Sequence, residues 1–160
     1  MKINNVVVIG SGTMGSGIAA QLCNANIPVT LLDLKTEISQ KAKERIEKSR
    51  PPLLIDKSKI DGIKVGNIND DFNIVSEADW IVEAVVERID IKHDIYDKIF
   101  KQRKKGSIVS SNTSSIPISV LSEKLTENEP CERLAMKTYC EKFRSPSKLP
   151  HFFLWQLFVV

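Results

Sequence analysis

Asn5-Val6-Val7-Val8-Ile9-Gly10-Ser11-Gly12-Thr13-Met14-Gly15-Ser16-Gly17 joins four consecutive β-branched apolar residues to the spacing G-x-G-x-x-G, and Ile18-Ala19-Ala20-Gln21-Leu22 continues with good helix formers. Strand, tight turn, helix is the order that a dinucleotide fingerprint requires. Gly10 lets the chain turn sharply off the strand. Gly12, without a Cβ, lets backbone approach a pyrophosphate, and Gly15 lets the helix pack close to the sheet. The helix's unsatisfied amides and positive dipole end then face the phosphates. Gly10, Ser11, Gly12, Thr13, Met14 and Gly15 are therefore the candidate phosphate-binding residues. A second strand, Val29-Thr30-Leu31-Leu32, follows the helix and ends in Asp33. An acid there is placed to hold the ribose hydroxyls of NAD, and its charge repels the 2′-phosphate of NADP. Outside this context the same glycines would read as a surface turn.

Length and composition set the frame. The chain has 160 residues, enough for one domain of ordinary size, and 42% hydrophobic with 27% charged residues reads as soluble and globular. Met1 to Asn5 leads straight into the first strand, so neither a signal nor a transit peptide is expected. Cys23, Cys131 and Cys140 are odd in number and lack metal-ligand spacing, which predicts a reducing cytoplasm and no metal site. Cys23, on the first helix, reads as a small buried apolar residue. Residues 1–130 hold 18 Lys/Arg against 18 Asp/Glu, so the net charge of +3 comes from the last thirty residues. No basic face is built into the domain, and neither nucleic acid nor a membrane is an expected partner.

After Asp33, Thr36 reads as an N-cap with Glu37 in the first turn of a helix running to about Ser49. Ile38, Ala42 and Ile46 form its narrow apolar stripe, Glu37/Lys41 and Glu44/Lys48 are i,i+4 pairs, and Pro51-Pro52 stops it. Leu53 to Asn73 has little pattern; Lys57 to Ile60 suits a short helix, and Ile63-Lys64-Val65 a short strand closed by Gly66. Trp80 to Ala84 suits a buried parallel strand. Ile91, Ile95, Ile99 and Phe100 mark the inner face of a helix ending at Arg103-Lys104-Lys105-Gly106. Ser107 to Ser110 is the next strand, with Ser111 to Ser115 at its carboxyl end and a short helix from Val120 to Leu125. Alternating strands and helices predict an α/β fold: a Rossmann-type doubly wound, mostly parallel sheet over residues 1–130.

Three separate motifs carry a resemblance. Gly10 to Gly15 with Asp33, Ile81-Val82-Glu83-Ala84-Val85-Val86-Glu87 with Lys92, and Ser111-Asn112-Thr113-Ser114-Ser115 together resemble the NAD-binding domain of the 3-hydroxyacyl-CoA dehydrogenases over residues 3–127. The resemblance implies NAD as cofactor, an acyl-CoA substrate, and oxidation of its 3-hydroxyl to a ketone as in fatty-acid β-oxidation. It implies that Glu87 and Lys92 line the nicotinamide side, that Ser114 contacts nicotinamide and substrate as a catalytic residue, and that Ser49 touches the CoA part. The resemblance also implies a homodimer formed through a helical C-terminal domain, which this chain is expected to lack. On the residues alone, Glu87 also suits the start of a helix, Lys92 a solvated helix face, Ser49 a helix cap, and Asn112 to Ser115 a self-bonded turn.

The chain departs from the family where the general base is expected. The family uses a histidine followed by two aromatics and Asn-Pro, whereas here the position reads Arg133-Leu134-Ala135-Met136-Lys137-Thr138-Tyr139-Cys140-Glu141. Threonine is no base near neutral pH. His93 is expected on the helix surface, and His151-Phe152-Phe153 comes too late and continues Leu154-Trp155. Residues 1–130 contain 19 Ile, 9 Asp, 9 Asn and 7 Gly, and residues 131–160 none of these. A divergent tail over 131–160, out of frame or otherwise foreign, is the expectation. Its apolar run, Phe152 to Val160, is too short to span a bilayer. The alternative to a dehydrogenase half is a non-catalytic NAD-binding module or a truncated gene remnant.

Overall fold

The computed structural model describes residues 3–117 together with Val120 and Leu121. The readings placed on Leu125, Cys131, Thr138, Cys140, His151 and the 152–160 run lie outside the described residues. The elements are β1 (Val6–Ile9), α1 (Thr13–Asn24), β2 (Val29–Asp33), α2 (Thr36–Glu47), β3 (Ile63–Asn67), β4 (Trp80–Glu83), α3 (Ile89–Gln102) and β5 (Ile108–Ser111). Two 3₁₀ segments, Lys57–Gly62 and Phe72–Glu77, precede β3 and β4. The five strands pair in parallel in the order β3-β2-β1-β4-β5. The chain thus winds outward from β1 to β3, then crosses back over β1 to β4 and β5. This is the doubly wound Rossmann-type sheet, and its reversal opens a crevice beyond the carboxyl ends of β1 and β4.

Period-two alternation along each strand sends side chains to two layers. Val6 and Val8 pack with Ala19, Leu22, Ala42 and Ile46 of α1 and α2. Val7 and Ile9 pack with Phe72, Ile95, Tyr96 and Ile99 on the opposite face. Helices cover both faces, which is why β1 reads as an unbroken apolar run.

Several boundaries differ from the sequence reading, each for a local reason. Lys35, not Thr36, is the N-cap of α2; Thr36 is its first residue, and its hydroxyl accepts from Asn67 Nδ2 at 3.0 Å. The helix ends at Glu47, and of the two i,i+4 pairs Glu44–Lys48 closes at 3.8 Å. Gly66 lies inside β3, since the pairing with β2 continues through Leu32–Gly66 to Asp33–Asn67, and a Cβ at Gly66 would sit 2.7 Å from an Asp71 carboxylate oxygen. The Phe72–Glu77 turn had no periodic signal, yet Phe72 and Val75 are core residues.

Two glycines are demanded by the packing. Gly10 has φ +102°, and a Cβ would fall 2.4 Å from the Ala84 carbonyl oxygen. At Gly15 a Cβ would fall 1.9 Å from the Gly10 carbonyl oxygen. Backbone blocks both positions, so no rotamer change can relieve the clash. Gly15→Ala should lower the urea-unfolding free energy by about 2 kcal/mol or more; a loss below about 0.5 kcal/mol contradicts this contact.

Cys23, 4% exposed on α1, packs beneath the Lys57–Gly62 turn, and burial pushes its thiol up from 9.0 to about 11. Below pH 9 folded and unfolded chains both keep that proton. Between 9 and about 11 the unfolded chain alone loses it, so stability falls as pH rises. The urea midpoint should drop across this range and drop less in Cys23→Ala; identical pH profiles would contradict the burial of the thiol.

Candidate functional site

The glycine turn leads β1 into α1 at the rim of the crevice. Gly10 N donates to the Leu32 carbonyl (2.8 Å) and Ala84 N to the Ile9 carbonyl (2.8 Å), which aligns the tips of β2, β1 and β4. The N-cap of α1 is Gly12, no side chain caps it, and its first turn holds no acid. By contrast α2 and α3 carry Glu37 and Asp90 in their first turns. The positive end of α1 is thus the one among these three left without a carboxylate. Gly12 differs from Gly10 and Gly15 in kind. Its φ is −62°, and a Cβ there would meet nothing within 4 Å. The fold itself does not require glycine at that position; the open space fits a group approaching the backbone, as a pyrophosphate does.

Asp33 ends β2 beside this turn. Its Oδ2 accepts from Ser11 N (2.7 Å) and Ser11 Oγ (2.6 Å), and Oδ1 from Leu34 N (2.7 Å). A carboxylate has about four acceptor sites, so capacity for a ribose hydroxyl remains, and the Ser11 hydroxyl can rotate away. The Ser11 amide is engaged by Asp33 and is not an open donor at this turn. Arg45 of α2 donates to the Ser11 carbonyl at 2.9 Å and holds that oxygen.

The other half of the crevice is organised by a residue that sequence reasoning passed over. Glu83, at the tip of β4, is 0% exposed and accepts from Lys92 Nζ (2.7 Å), Val85 N (2.8 Å), Tyr96 Oη (2.9 Å) and Ser111 Oγ. Four donors fill its acceptor sites. Burial first, then the Glu83 charge, hold the Tyr96 phenol well above its ordinary 10.0. Lys92 is buried, so its place is inside the domain and not on a solvated helix face. Removing one partner of such a buried pair costs about 3–5 kcal/mol. The signal available in the sequence was a single acid inside the apolar run Trp80 to Val86.

The loop after β5 closes on the same cluster. Thr113 Oγ1 and Ser115 Oγ donate to Glu87 Oε2 at 2.7 and 3.4 Å, and Glu87 Oε1 lies 4.0 Å from Lys92 Nζ. Glu87 precedes the Arg88 N-cap, so the first-turn acid of α3 is Asp90 instead. Glu87, Lys92 and the Asn112–Ser115 loop are thereby brought together, with Ser114 exposed at the rim. Ser49 lies apart, beyond α2; its hydroxyl donates to the Ile46 carbonyl (2.8 Å) and accepts from Leu53 N (2.9 Å). His93 corrects the surface expectation. It is 6% exposed, with a ring nitrogen 3.0 Å from the Val120 carbonyl, because α3 buries a wide face that meets the segment after β5. Among the described residues no cluster of three or more His, Cys, Asp or Glu could hold a metal, and no helix is long and apolar enough to cross a membrane.

Comparison with known proteins agrees with this geometry. The family profile described as "3-hydroxyacyl-CoA dehydrogenase, NAD binding domain" matches residues 5–135. A probable 3-hydroxyacyl-CoA dehydrogenase of Deinococcus radiodurans is 42% identical over 135 residues, covering 80% of this chain and 39% of that protein. One of Bacillus subtilis is 38% identical over 142 residues, covering 76% and 18%. The crystal structure of 3-hydroxybutyryl-CoA dehydrogenase from Escherichia coli K12 superposes with a TM-score of 0.72 at 25% identity, over 85% of this chain and 29% of that one. The chain therefore spans well under half the length of these relatives. A profile match over most of the chain, on a sheet wound in this order, decides the relationship: the chain belongs to the NAD-binding domain family of the 3-hydroxyacyl-CoA dehydrogenases, and NAD is the cofactor of that domain.

Proposed function

We propose that the chain is the cofactor-binding half of an NAD-dependent 3-hydroxyacyl-CoA dehydrogenase, of the fatty-acid β-oxidation type and cytoplasmic. The observation that carries this is Gly12: open space where a Cβ would lie, at the uncapped start of α1, beside the Asp33 carboxylate. Gly12, Thr13, Met14 and Gly15 hold the pyrophosphate, Gly10 shapes the turn, and Asp33 with Ser11 takes the adenosine ribose. Glu87 and Lys92 are assigned to the nicotinamide side; Lys92, 0% exposed, acts there through its contacts with Glu83 and Glu87. Ser114, exposed at the rim, is the group assigned to both nicotinamide and the acyl-CoA oxygen. Ser49 is assigned to the CoA part, which requires its present backbone bonds to be shared or released. Held by these residues, NAD would supply the hydride acceptor, and the alcohol proton would need a base, worth about 10²- to 10⁴-fold. The dimeric assembly of the family is proposed for the longer protein.

A second reading is favoured by one observation. Thr138 stands where the base histidine is expected, so a non-catalytic NAD-binding module is the alternative. Both readings predict slow turnover by the chain alone. Oxidation of NADH with acetoacetyl-CoA should stay near the uncatalysed rate, while NADH fluorescence titrates saturably. Rapid turnover contradicts the base assignment, and a flat titration contradicts both readings.

Gly12→Ala separates cofactor binding from folding. Stability should change by about 1 kcal/mol or less, whereas NAD affinity should fall by about tenfold or more, the cost of about one lost charge-assisted hydrogen bond. Unchanged affinity would remove the pyrophosphate from this turn.

A further inference from the structure

We propose that Glu83 is a positioning residue for the nicotinamide end of the bound dinucleotide, through its carboxylate, which ties Lys92 and the Asn112–Ser115 loop to the tip of β4. This rests on the NAD reading above. Glu83 cannot touch the ligand itself, since it is 0% exposed and its acceptor sites are filled by Val85 N, Lys92 Nζ, Tyr96 Oη and Ser111 Oγ. It acts through what it holds.

Its place in the sheet explains why. Glu83 pairs in register with Ile9 on β1 and Ser111 on β5, directly at the crevice. From Ser111 the chain passes at once into Asn112, whose N–H donates to the Glu83 carbonyl at 2.8 Å. Thr113 N donates to Ser111 Oγ at 3.2 Å, and Thr113 Oγ1 to Glu87 at 2.7 Å. Glu87 lies 4.0 Å from Lys92 Nζ, which returns to Glu83 at 2.7 Å. The contacts form a ring through β4, α3 and β5. Both loops assigned to the nicotinamide hang from this ring. The adenosine side is separate: Asp33 bonds to Ser11 and Leu34.

Stability does not call for a charge here, because apolar side chains filling the same volume are often as stabilising as a buried ion pair. What the ion pair adds is direction. An ammonium held by one carboxylate oxygen is fixed beside Glu87, and a serine bound to the second oxygen fixes the start of the loop. Tyr96 completes the set from the next turn of α3, closing the carboxylate to water.

The test is calorimetric titration of the full 160-residue chain with NAD and, separately, with ADP-ribose, which lacks the nicotinamide. Wild type, Glu83→Gln and Ser111→Ala are compared. Both variants should raise the ratio of the NAD to the ADP-ribose dissociation constant, by about tenfold for Glu83→Gln, with ADP-ribose binding held within about twofold. A purely structural role would weaken both ligands together. Where Glu83→Gln does not fold, Ser111→Ala, which removes only the link from the carboxylate to the loop, carries the comparison. An unchanged ratio in a folded variant overturns the proposal while leaving NAD binding intact; a wild type that binds neither ligand overturns the NAD reading and this one with it.

Discussion

The architecture depends on how closely α1 approaches the end of β1. Gly15 faces the Gly10 carbonyl where a Cβ would stand 1.9 Å away, and Gly10 faces Ala84 where a Cβ would stand 2.4 Å away. Two missing methyl groups therefore let one helix start, one strand end and the next strand's loop occupy the same small volume. The helix axis is drawn over the crevice, and its first amides look outward from it. A side chain at Gly15 would push α1 off β1, and one at Gly10 would push away the Ala84 loop, by more than packing can absorb.

Electrostatics then distinguish this helix from its neighbours. Acids stand in the first turns of α2 and α3, and none in that of α1. The nearest carboxylate, Asp33, sits at the side, bonded to Ser11 and so directed at the edge of the turn and not at its centre. Under the proposed function a diphosphate would meet bare amides while the sugar beyond it would meet the acid. The opposite wall is a different chemical device, an ion pair sealed under Tyr96 whose consequence at the surface is the posture of the loop after β5.

The parts of this plan that were legible in the sequence are those with local causes. Val6 to Ile9, the glycine spacing and Asp33 could be read because strand, turn and strand tip each leave a pattern a few residues long, and strand pairing then follows from parallel winding. Glu83 could not be read in this way. Its partners Lys92, Tyr96 and Ser111 lie 9, 13 and 28 positions away and meet it only once the sheet has formed. His93 was misplaced for the same reason: its partner, Val120, is 27 residues on, beyond β5. The Phe72–Glu77 turn escaped notice because a 3₁₀ segment shows neither the two-residue nor the 3.6-residue period. The fold was thus largely readable, and with it the placement of the glycine turn beside Asp33, whereas the buried polar cluster was visible only as an acid in an apolar run.

The central claim, that the open amides of α1 receive a diphosphate, is tested most directly by nuclear magnetic resonance on the ¹⁵N-labelled chain. On addition of NAD, the amide signals of Gly12, Thr13 and Met14 should move saturably, together with that of Ser11 as Asp33 turns to the ribose. If those signals stay in place while NAD binds elsewhere, or if no amide moves at saturating NAD, the account is contradicted.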